Sequence, residues 1–125
     1  DSFIRSRALG IDIKLETSGK GIRSYMHPLD FSKWILVIMG KNFIPLINFG
    51  SDNAIKIFDL ATTIANIKFK NLPRVSVFKG NRIDNNYYVP NIELAREIGL
   101  KNSTSLIEQI YESLEYYSSI NSKLL

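Results

Sequence analysis

The stretch GKGIRSYMHPLDFSKW, residues 19–34, decides how the rest of the chain is interpreted. A glycine turn begins it, and RSYMH then favours a short extended segment. Pro28 follows at a place that suits the first turn of a helix. Arg23, Tyr25 and His27 occupy alternate positions, so an extended backbone would place their side chains on one side. The stretch therefore predicts a strand followed by a helix, with a polar candidate site where the two meet.

Short helices and short strands alternate on both sides of this stretch. Helices are predicted at SFIRSRAL with Gly10 as C-cap, from Pro28 to Gly40, at IFDLATTIANI, at IELAREIG with Asn91 as N-cap, and after a capping box of Ser105 and Glu108. The helix at IFDLATTIANI has a predicted apolar face of Ile57, Leu60, Ala61, Ile64 and Ile67, and the last helix a predicted stripe of Ile107, Ile110, Leu114 and Tyr117. Strands are predicted at IDIKLE, IPLINFG, RVSVFK and YYV, and NAIKI adds an edge strand. This order predicts a small α/β or α+β domain with about five helices and a few short strands. The domain is expected at residues 1–118, followed by a frayed tail at 119–125.

The composition excludes several classes of protein. With 125 residues the chain is long enough for one domain and too short for two ordinary ones. It has no cysteine and one histidine, which argues against a disulfide framework, thiol catalysis and the usual zinc sites. No apolar run reaches the roughly 18 residues needed to cross a membrane. We therefore expect no metal and no membrane partner, and the lack of cysteine favours a cytoplasmic location.

The net charge of +4 raises the question of nucleic-acid binding. The basic residues are scattered along the chain, and only KFKNLPR, residues 68–74, resembles a cluster. Because no DNA- or RNA-binding motif surrounds it, nucleic acid is not an expected partner. A mildly basic domain that binds an anionic small molecule fits this pattern better.

Three sequence segments carry the interpretation further. They are GIRSYMHPLDFSKWI, INFGSDNAIKIFDLATTIANI and YYVPNIELAREIGLKNSTSLIEQIYESLEYY, in that order. Together they resemble the C-terminal, substrate-binding part of NAD-dependent nucleotide-sugar epimerases and dehydratases, the extended short-chain dehydrogenase/reductase family. The resemblance covers nearly the whole chain and implies a small substrate-binding subdomain that binds a nucleotide-diphosphate sugar.

Two family motifs are missing from the chain. No G-x-x-G-x-x-G segment is present, and none of the six tyrosines has a lysine four residues later. The resemblance therefore implies that the Rossmann half, which binds NAD(P) and supplies the catalytic residues, lies outside this sequence. We expect no catalytic, cofactor-binding or metal-binding residue here, no activity of the chain alone, and a piece of a longer enzyme, since the sequence begins with Asp1.

The resemblance assigns anion binding to Arg23. A nucleotide sugar carries a diphosphate, and a guanidinium can donate two parallel hydrogen bonds to phosphate oxygens. Composition alone would make Arg23 an exposed charge after a turn, and the flanking segment favours the binding role. Arg82 is a second candidate, in a loop one residue shorter than the family's Arg-x-Gly-Asp loop, and Lys79 is the alternative to it.

The strand residues Ile13, Lys14 and Leu15 match the strand that borders the nucleotide base in the family. Their other interpretation is an ordinary alternating strand, and the two readings stay open. Tyr25 is included among the substrate-binding candidates because it shares a side of the chain with Arg23.

The remaining conspicuous residues are interpreted as structural. His27 is expected to be packed or hydrogen-bonded rather than catalytic. Asp30 is expected to complement the dipole of its helix, and Asn48 to satisfy nearby backbone groups before Gly50. The aromatic residues expected in the core are Phe31, Trp34, Phe49 and Phe58.

Two further interpretations remain open. The chain can instead be a truncated, non-catalytic binding or scaffold module of the same fold. In either case a face that the Rossmann half would cover is expected to be exposed, and this predicts self-association through that face.

Overall fold

The computed structural model describes residues 2–42 and 46–122. Its elements, in chain order, are α1 (Ser2–Ala8), β1 (Ile13–Lys14), β2 (Ile22–Arg23), α2 (Pro28–Met39), β3 (Ile55–Lys56), α3 (Ile57–Asn66), β4 (Val77–Phe78), β5 (Tyr87–Tyr88), α4 (Glu93–Glu97) and α5 (Leu106–Ser122). The described part thus has the predicted small α/β character, with five helices and short strands.

The strands form two small sheets. In one, β1 pairs in parallel with β4. In the other, β2 lies between β3, which is antiparallel to it, and β5, which is parallel to it. The predicted edge strand NAIKI is therefore confirmed as β3. The bridge between Thr17 and Arg82 continues the register in which β2 pairs with β5, so the chain before β2 runs beside the chain before β5.

One hydrophobic cluster, which we call the closed core, lies between α1, α3, α5 and β1. Its buried members are Ile13, Leu15, Leu60, Ala61, Ile64, Ala65, Phe69, Ile110 and Leu114. The predicted apolar face of α3 is confirmed, because Leu60, Ala61 and Ile64 point into this cluster. In α5 the predicted stripe holds for Ile110 and Leu114, whereas Ile107 is exposed and Leu106 packs against the core in its place.

A second group, which we call the open layer, consists of α2, α4 and the buried residues Trp34, Ile92, Ala95 and Leu100. Trp34 is buried, and its Nε1 donates to the Lys101 carbonyl at 3.0 Å. Most other apolar residues of α2 are exposed, with Leu36 at 70% and Met39 at 76%. The open layer therefore leaves one side of an apolar helix uncovered.

Two sequence predictions differ from the structure. Leu46–Phe49 form no strand, and Leu46 is 97% exposed, while Ile47 is partly buried against the open layer. Ile44 and Pro45 lie outside the described residues. A strand needs a neighbour to satisfy its backbone groups, and none of the strands in the described residues pairs with this segment. At the other end, α5 continues to Ser122, so residues 119–122 of the expected tail are helical.

Most helix ends agree with the sequence signals. Ser105 Oγ accepts from the Glu108 amide at 3.2 Å, and Glu108 Oε2 accepts from the Ser105 amide at 2.7 Å, so the predicted capping box is confirmed. Asn91 lies one residue before the N-cap of α4, which is Ile92 and not Asn91 as predicted, although Asn91 Oδ1 accepts from the Glu93 amide at 2.8 Å. Gly10, after α1, has a φ of 67°, which a residue with a side chain adopts only at a cost. Within the described residues no helix has the length and apolar character required of a membrane span.

Candidate functional site

Arg23 lies at the end of β2, in the middle strand of the three-stranded sheet. Its Nη1 donates to the Ile22 carbonyl at 2.9 Å and to the Asn86 carbonyl at 3.1 Å. The other edge of the guanidinium, Nε and Nη2, makes no hydrogen bond with the part of the chain that is described. Arg23 is therefore held by one nitrogen while an edge that can bind an oxyanion is left over.

Two tyrosines accompany this arginine. Burial raises the pKa of the Tyr25 hydroxyl, and the positive charge of Arg23 partly offsets that rise, so the phenol and the guanidinium are close enough to interact. The alternate spacing predicted this neighbourhood. Tyr88 is paired in register with Arg23 and is exposed, so the two side chains project from the same face of the sheet.

Tyr88 is a candidate-site residue that the sequence does not predict. A run of two tyrosines predicts a strand but not its partner, and Arg23 and Tyr88 are separated by 65 positions (88 − 23). Only the register of the parallel pair brings them together.

Arg82 lies six positions before Tyr88, and Nη2 of its exposed side chain donates to Glu16 Oε2 at 3.2 Å. An anion at Arg82 would have to compete with that carboxylate. Lys79, the alternative, has its Nζ 3.8 Å from the centre of the Phe58 ring, a cation–π contact. Within the described residues Arg82 and Lys79 therefore interact with partners different from those of Arg23.

The three residues matched to the base-binding strand point in different directions. Ile13 and Leu15 are buried in the closed core, and their amides donate to the carbonyls of Ser76 and Phe78. Lys14 is exposed between them. The side chains of Ile13 and Leu15 are therefore occupied by the core, and a ligand can reach only Lys14 or the backbone from outside.

His27 caps α2 instead of standing free. Its Nδ1 accepts from the Leu29 amide at 3.2 Å, so Nε2 carries the proton and donates to Glu112 Oε2 at 2.7 Å. The ring is buried, and both nitrogens are in use. The expectation of a hydrogen-bonded, structural histidine is confirmed.

The groove beside His27 and Tyr25 has a volume of about 590 Å³ and is also bordered by Gln109, Glu112 and Tyr116. Because an exposed carboxylate lines it, this groove suits an anion poorly. Arg23 does not line it. The face of the sheet that carries Arg23 is thus the better place for a phosphate.

Asp30 is a buried carboxylate with a purely structural set of partners. It accepts from the Ser103 and Thr104 amides at 3.0 and 2.9 Å and from the Ser103 hydroxyl at 2.5 Å. Burial raises the pKa of Asp30, but these hydrogen bonds outweigh it and bring the pKa down to about 2. The structural role is confirmed, although Asp30 fixes the loop before α5 in addition to occupying the first turn of α2.

Two other expectations need correction. Asn48 does not satisfy a local turn, because its Nδ2 donates to the carbonyl of Asn91 at 2.9 Å, far away in the sequence. Of the four aromatic residues expected in the core, only Trp34 is fully buried. Phe31 and Phe49 are partly exposed, with ring centres 5.2 Å apart.

No group of three or more His, Asp or Glu side chains within residues 2–42 and 46–122 is arranged to hold a metal ion. Arginine, tyrosine and backbone groups can bind and orient a ligand, but no described pair joins a nucleophile to a base at this sheet face.

Comparison with known proteins shows what the fold resembles. No protein-family model matches the chain, and no curated protein matches it in sequence. Solved structures do. UDP-glucose 4-epimerase of Thermotoga maritima, solved with UDP-glucose, has a TM-score of 0.71 at 19% identity and covers 98% of this chain. UDP-N-acetylglucosamine 4-epimerase of Methanobrevibacter ruminantium, in complex with UDP-N-acetylmuramic acid, has a TM-score of 0.76 at 17% identity and covers 95%.

UDP-glucuronic acid 4-epimerase of Bacillus cereus, in complex with UDP-glucuronic acid and NAD, has a TM-score of 0.64 at 10% identity and covers 99% of this chain. The chain spans only 39%, 38% and 39% of these three proteins, respectively. The predicted resemblance is therefore confirmed at the level of fold: the chain has the fold of a part of nucleotide-sugar 4-epimerases, less than half of their length.

Proposed function

We propose that this chain is the nucleotide-sugar-binding portion of an NAD-dependent epimerase or dehydratase, with Arg23 as its diphosphate-binding residue. The observation that carries the proposal is the unoccupied Nε–Nη2 edge of Arg23, on a sheet face that also presents Tyr88, with Tyr25 near enough to interact with the charge of Arg23. A guanidinium edge matches two phosphate oxygens, and the phenols offer aromatic surface and hydroxyl donors.

The other candidate residues take lesser roles. Lys14 is exposed, and with the backbone of Ile13 and Leu15 it can border the base. Arg82 can add a second contact to phosphate when it releases Glu16, and exposed ion pairs of this kind are weak. Binding of NAD(P) and all catalytic steps are assigned to a Rossmann half outside this sequence, and a cytoplasmic location stays a prediction.

The exposed side of α2 supports the existence of that missing half. Six apolar residues of α2 are exposed: Leu29, Phe31, Ile35, Leu36, Val37 and Met39. Apolar surface concentrated on one helix is typical of a surface that another body covers. In the similar structures more than half of the chain lies outside the matched part, which is enough for such a body.

The proposal is tested by calorimetric titration of the chain with UDP and UDP-glucose. Arg23→Ala is expected to weaken binding by about tenfold or more, because a hydrogen bond to a charged group is lost together with the charge. The control is Arg74→Ala, which removes the same charge from an exposed position outside the candidate site. Equal affinities for the wild-type chain and Arg23→Ala would contradict the proposal, and binding of no nucleotide would favour the non-catalytic scaffold module.

Self-association through the exposed side of α2 is tested separately by analytical ultracentrifugation over a range of concentrations. The wild-type chain is expected to form larger species as concentration rises, and Leu36→Lys to shift it towards monomer. Ile83→Lys places the same charge at an exposed residue outside α2 and is expected to behave as wild type. A strict monomer at every concentration would contradict self-association.

A further inference from the structure

We propose that Asp84 is a positioning residue for Arg23, acting through the carbonyl of Asn86, and that Gly21 is a glycine because Asp84 occupies the space of its side chain. This inference rests on the proposed role of Arg23 and concerns how that guanidinium is held in place. The residues come from two chain segments that the parallel pairing of β2 with β5 brings together.

The Asn86 carbonyl is the point on which Arg23 depends. It accepts from the Ile22 amide at 2.8 Å and from Arg23 Nη1 at 3.1 Å. This one oxygen thereby fixes both the position of the β2 backbone relative to β5 and the direction of the Arg23 guanidinium. The other acceptor of Arg23 Nη1, the Ile22 carbonyl, belongs to the neighbouring residue and moves with it.

Asp84 fixes the position of that carbonyl. Its Oδ1 accepts from the Asn86 amide at 3.1 Å, which closes a turn of the kind that Asp and Asn side chains make with the amide two residues later. The turn fixes the backbone of Asn86, and with it the carbonyl, immediately before β5 begins. Asp84 thus acts on Arg23 without contacting it.

Gly21 shows that the carboxylate is packed rather than free. A Cβ on Gly21 would lie 2.5 Å from Asp84 Oδ2 and 2.9 Å from its Cγ, so a side chain at Gly21 would force the Asp84 carboxylate to shift. Asp84 is also half-buried, whereas the neighbouring Asn85 and Asn86 are exposed. Gly21 O further accepts from the Ile57 amide at 2.9 Å, so the backbone of Gly21 cannot simply move away.

The sign of the expected effect separates positioning from electrostatics. Asp84 is negative, so if its charge alone mattered, removing it would strengthen the binding of an anion. Positioning predicts the opposite for Asp84→Ala, which deletes the acceptor of the Asn86 amide. Asp84→Asn removes the same charge but keeps an oxygen at that place, so it is expected to keep the turn and the binding.

The first experiment is calorimetric titration with UDP. We expect Asp84→Ala to weaken binding by about five- to tenfold, the size of one lost hydrogen bond, and Asp84→Asn to stay within about twofold of wild type. Gly21→Ala is expected to weaken binding like Asp84→Ala, and Gly40→Ala, where the nearest atom to the new Cβ would be 3.6 Å away, serves as the glycine control. In an Arg23→Ala background, Asp84→Ala should cause no further loss. Equal or tighter binding by Asp84→Ala would overturn the proposal.

The second experiment needs no ligand. The Nε–Hε group of Arg23 is followed by ¹⁵N NMR relaxation, and its order parameter is expected to fall in Asp84→Ala and to be retained in Asp84→Asn. An unchanged Arg23 signal in a folded Asp84→Ala chain would overturn the positioning role. If the wild-type chain binds no UDP, the proposed function fails, while this measurement still decides whether Asp84 positions Arg23.

Discussion

Helices α2 and α3 have similar apolar composition and very different surroundings. Along α3, four residues enter the closed core: Leu60, Ala61, Ile64 and Ala65. Along α2, a helix two residues longer, Trp34 is the only fully buried apolar residue, and the second buried residue is the carboxylate Asp30. The difference shows that an apolar pattern predicts a helix and its need for a partner, but not whether that partner belongs to the same piece of chain.

The largest expected effect compares one aliphatic residue from each helix. Ile64→Ala is expected to lower the free energy of unfolding by about 2–5 kcal/mol, because it leaves a cavity in the closed core. Leu36→Ala, on the exposed side of α2, is expected to change it by no more than about 0.5 kcal/mol. Urea unfolding followed by circular dichroism measures both changes in the free energy of unfolding. Similar losses of unfolding free energy in the two variants would contradict the comparison, because Leu36 of α2 would then be buried within this chain as Ile64 is.

The second prediction concerns Asp30, which ties α2 to the loop before α5. The pKa is lowered from 3.8 to about 2 in the folded chain, so the stabilisation is fully present above about pH 4 and is lost as pH falls towards 2. Its size corresponds to about 2 kcal/mol. Unfolding free energies measured between pH 2 and pH 6 should show this decrease, and Asp30→Asn should lack most of it.

The matched control for Asp30 lies on the other helix. Asp59 occupies the first turn of α3 but is exposed. We expect Asp59→Asn to keep the pH dependence of the wild-type chain. If Asp30→Asn and wild type lose stability in parallel below pH 4, the buried carboxylate is not the source of the acid sensitivity.

The same two helices show how far sequence reasoning extends. The face of α3 and the capping box of α5 were predicted correctly because periodicity and capping are local properties of the chain. The strand expected at IPLINFG was wrong for Leu46–Phe49, because a strand requires a neighbouring strand that no local pattern supplies. At the candidate site, Arg23 and Tyr25 followed from spacing and resemblance. Tyr88 required the register of a pairing between distant segments.

A smaller effect is expected at the start of α2. His27→Ala removes the acceptor of the Leu29 amide and the contact with Glu112, and should lower the unfolding free energy by about 1 kcal/mol. His27→Asn keeps an N-cap acceptor and should recover most of the loss. Urea unfolding at pH 7 measures both. A loss by His27→Asn as large as that by His27→Ala would show that the link to α5, and not the cap, holds this end of the open layer.

An effect of similar size is expected at the rim of the open layer. Phe49 contacts Trp34, with ring centres 5.7 Å apart, and Phe31, yet it is 37% exposed. Phe49→Ala should therefore cost about 0.5–1.5 kcal/mol, the range of an aromatic pair, and less than Ile64→Ala. Phe78→Ala, an exposed phenylalanine of β4, is the control and should cost less still. A side chain at an exposed rim gains little stability from burial within this chain. A loss of unfolding free energy in Phe49→Ala as large as that in Ile64→Ala would therefore mean that the open layer is a second complete core.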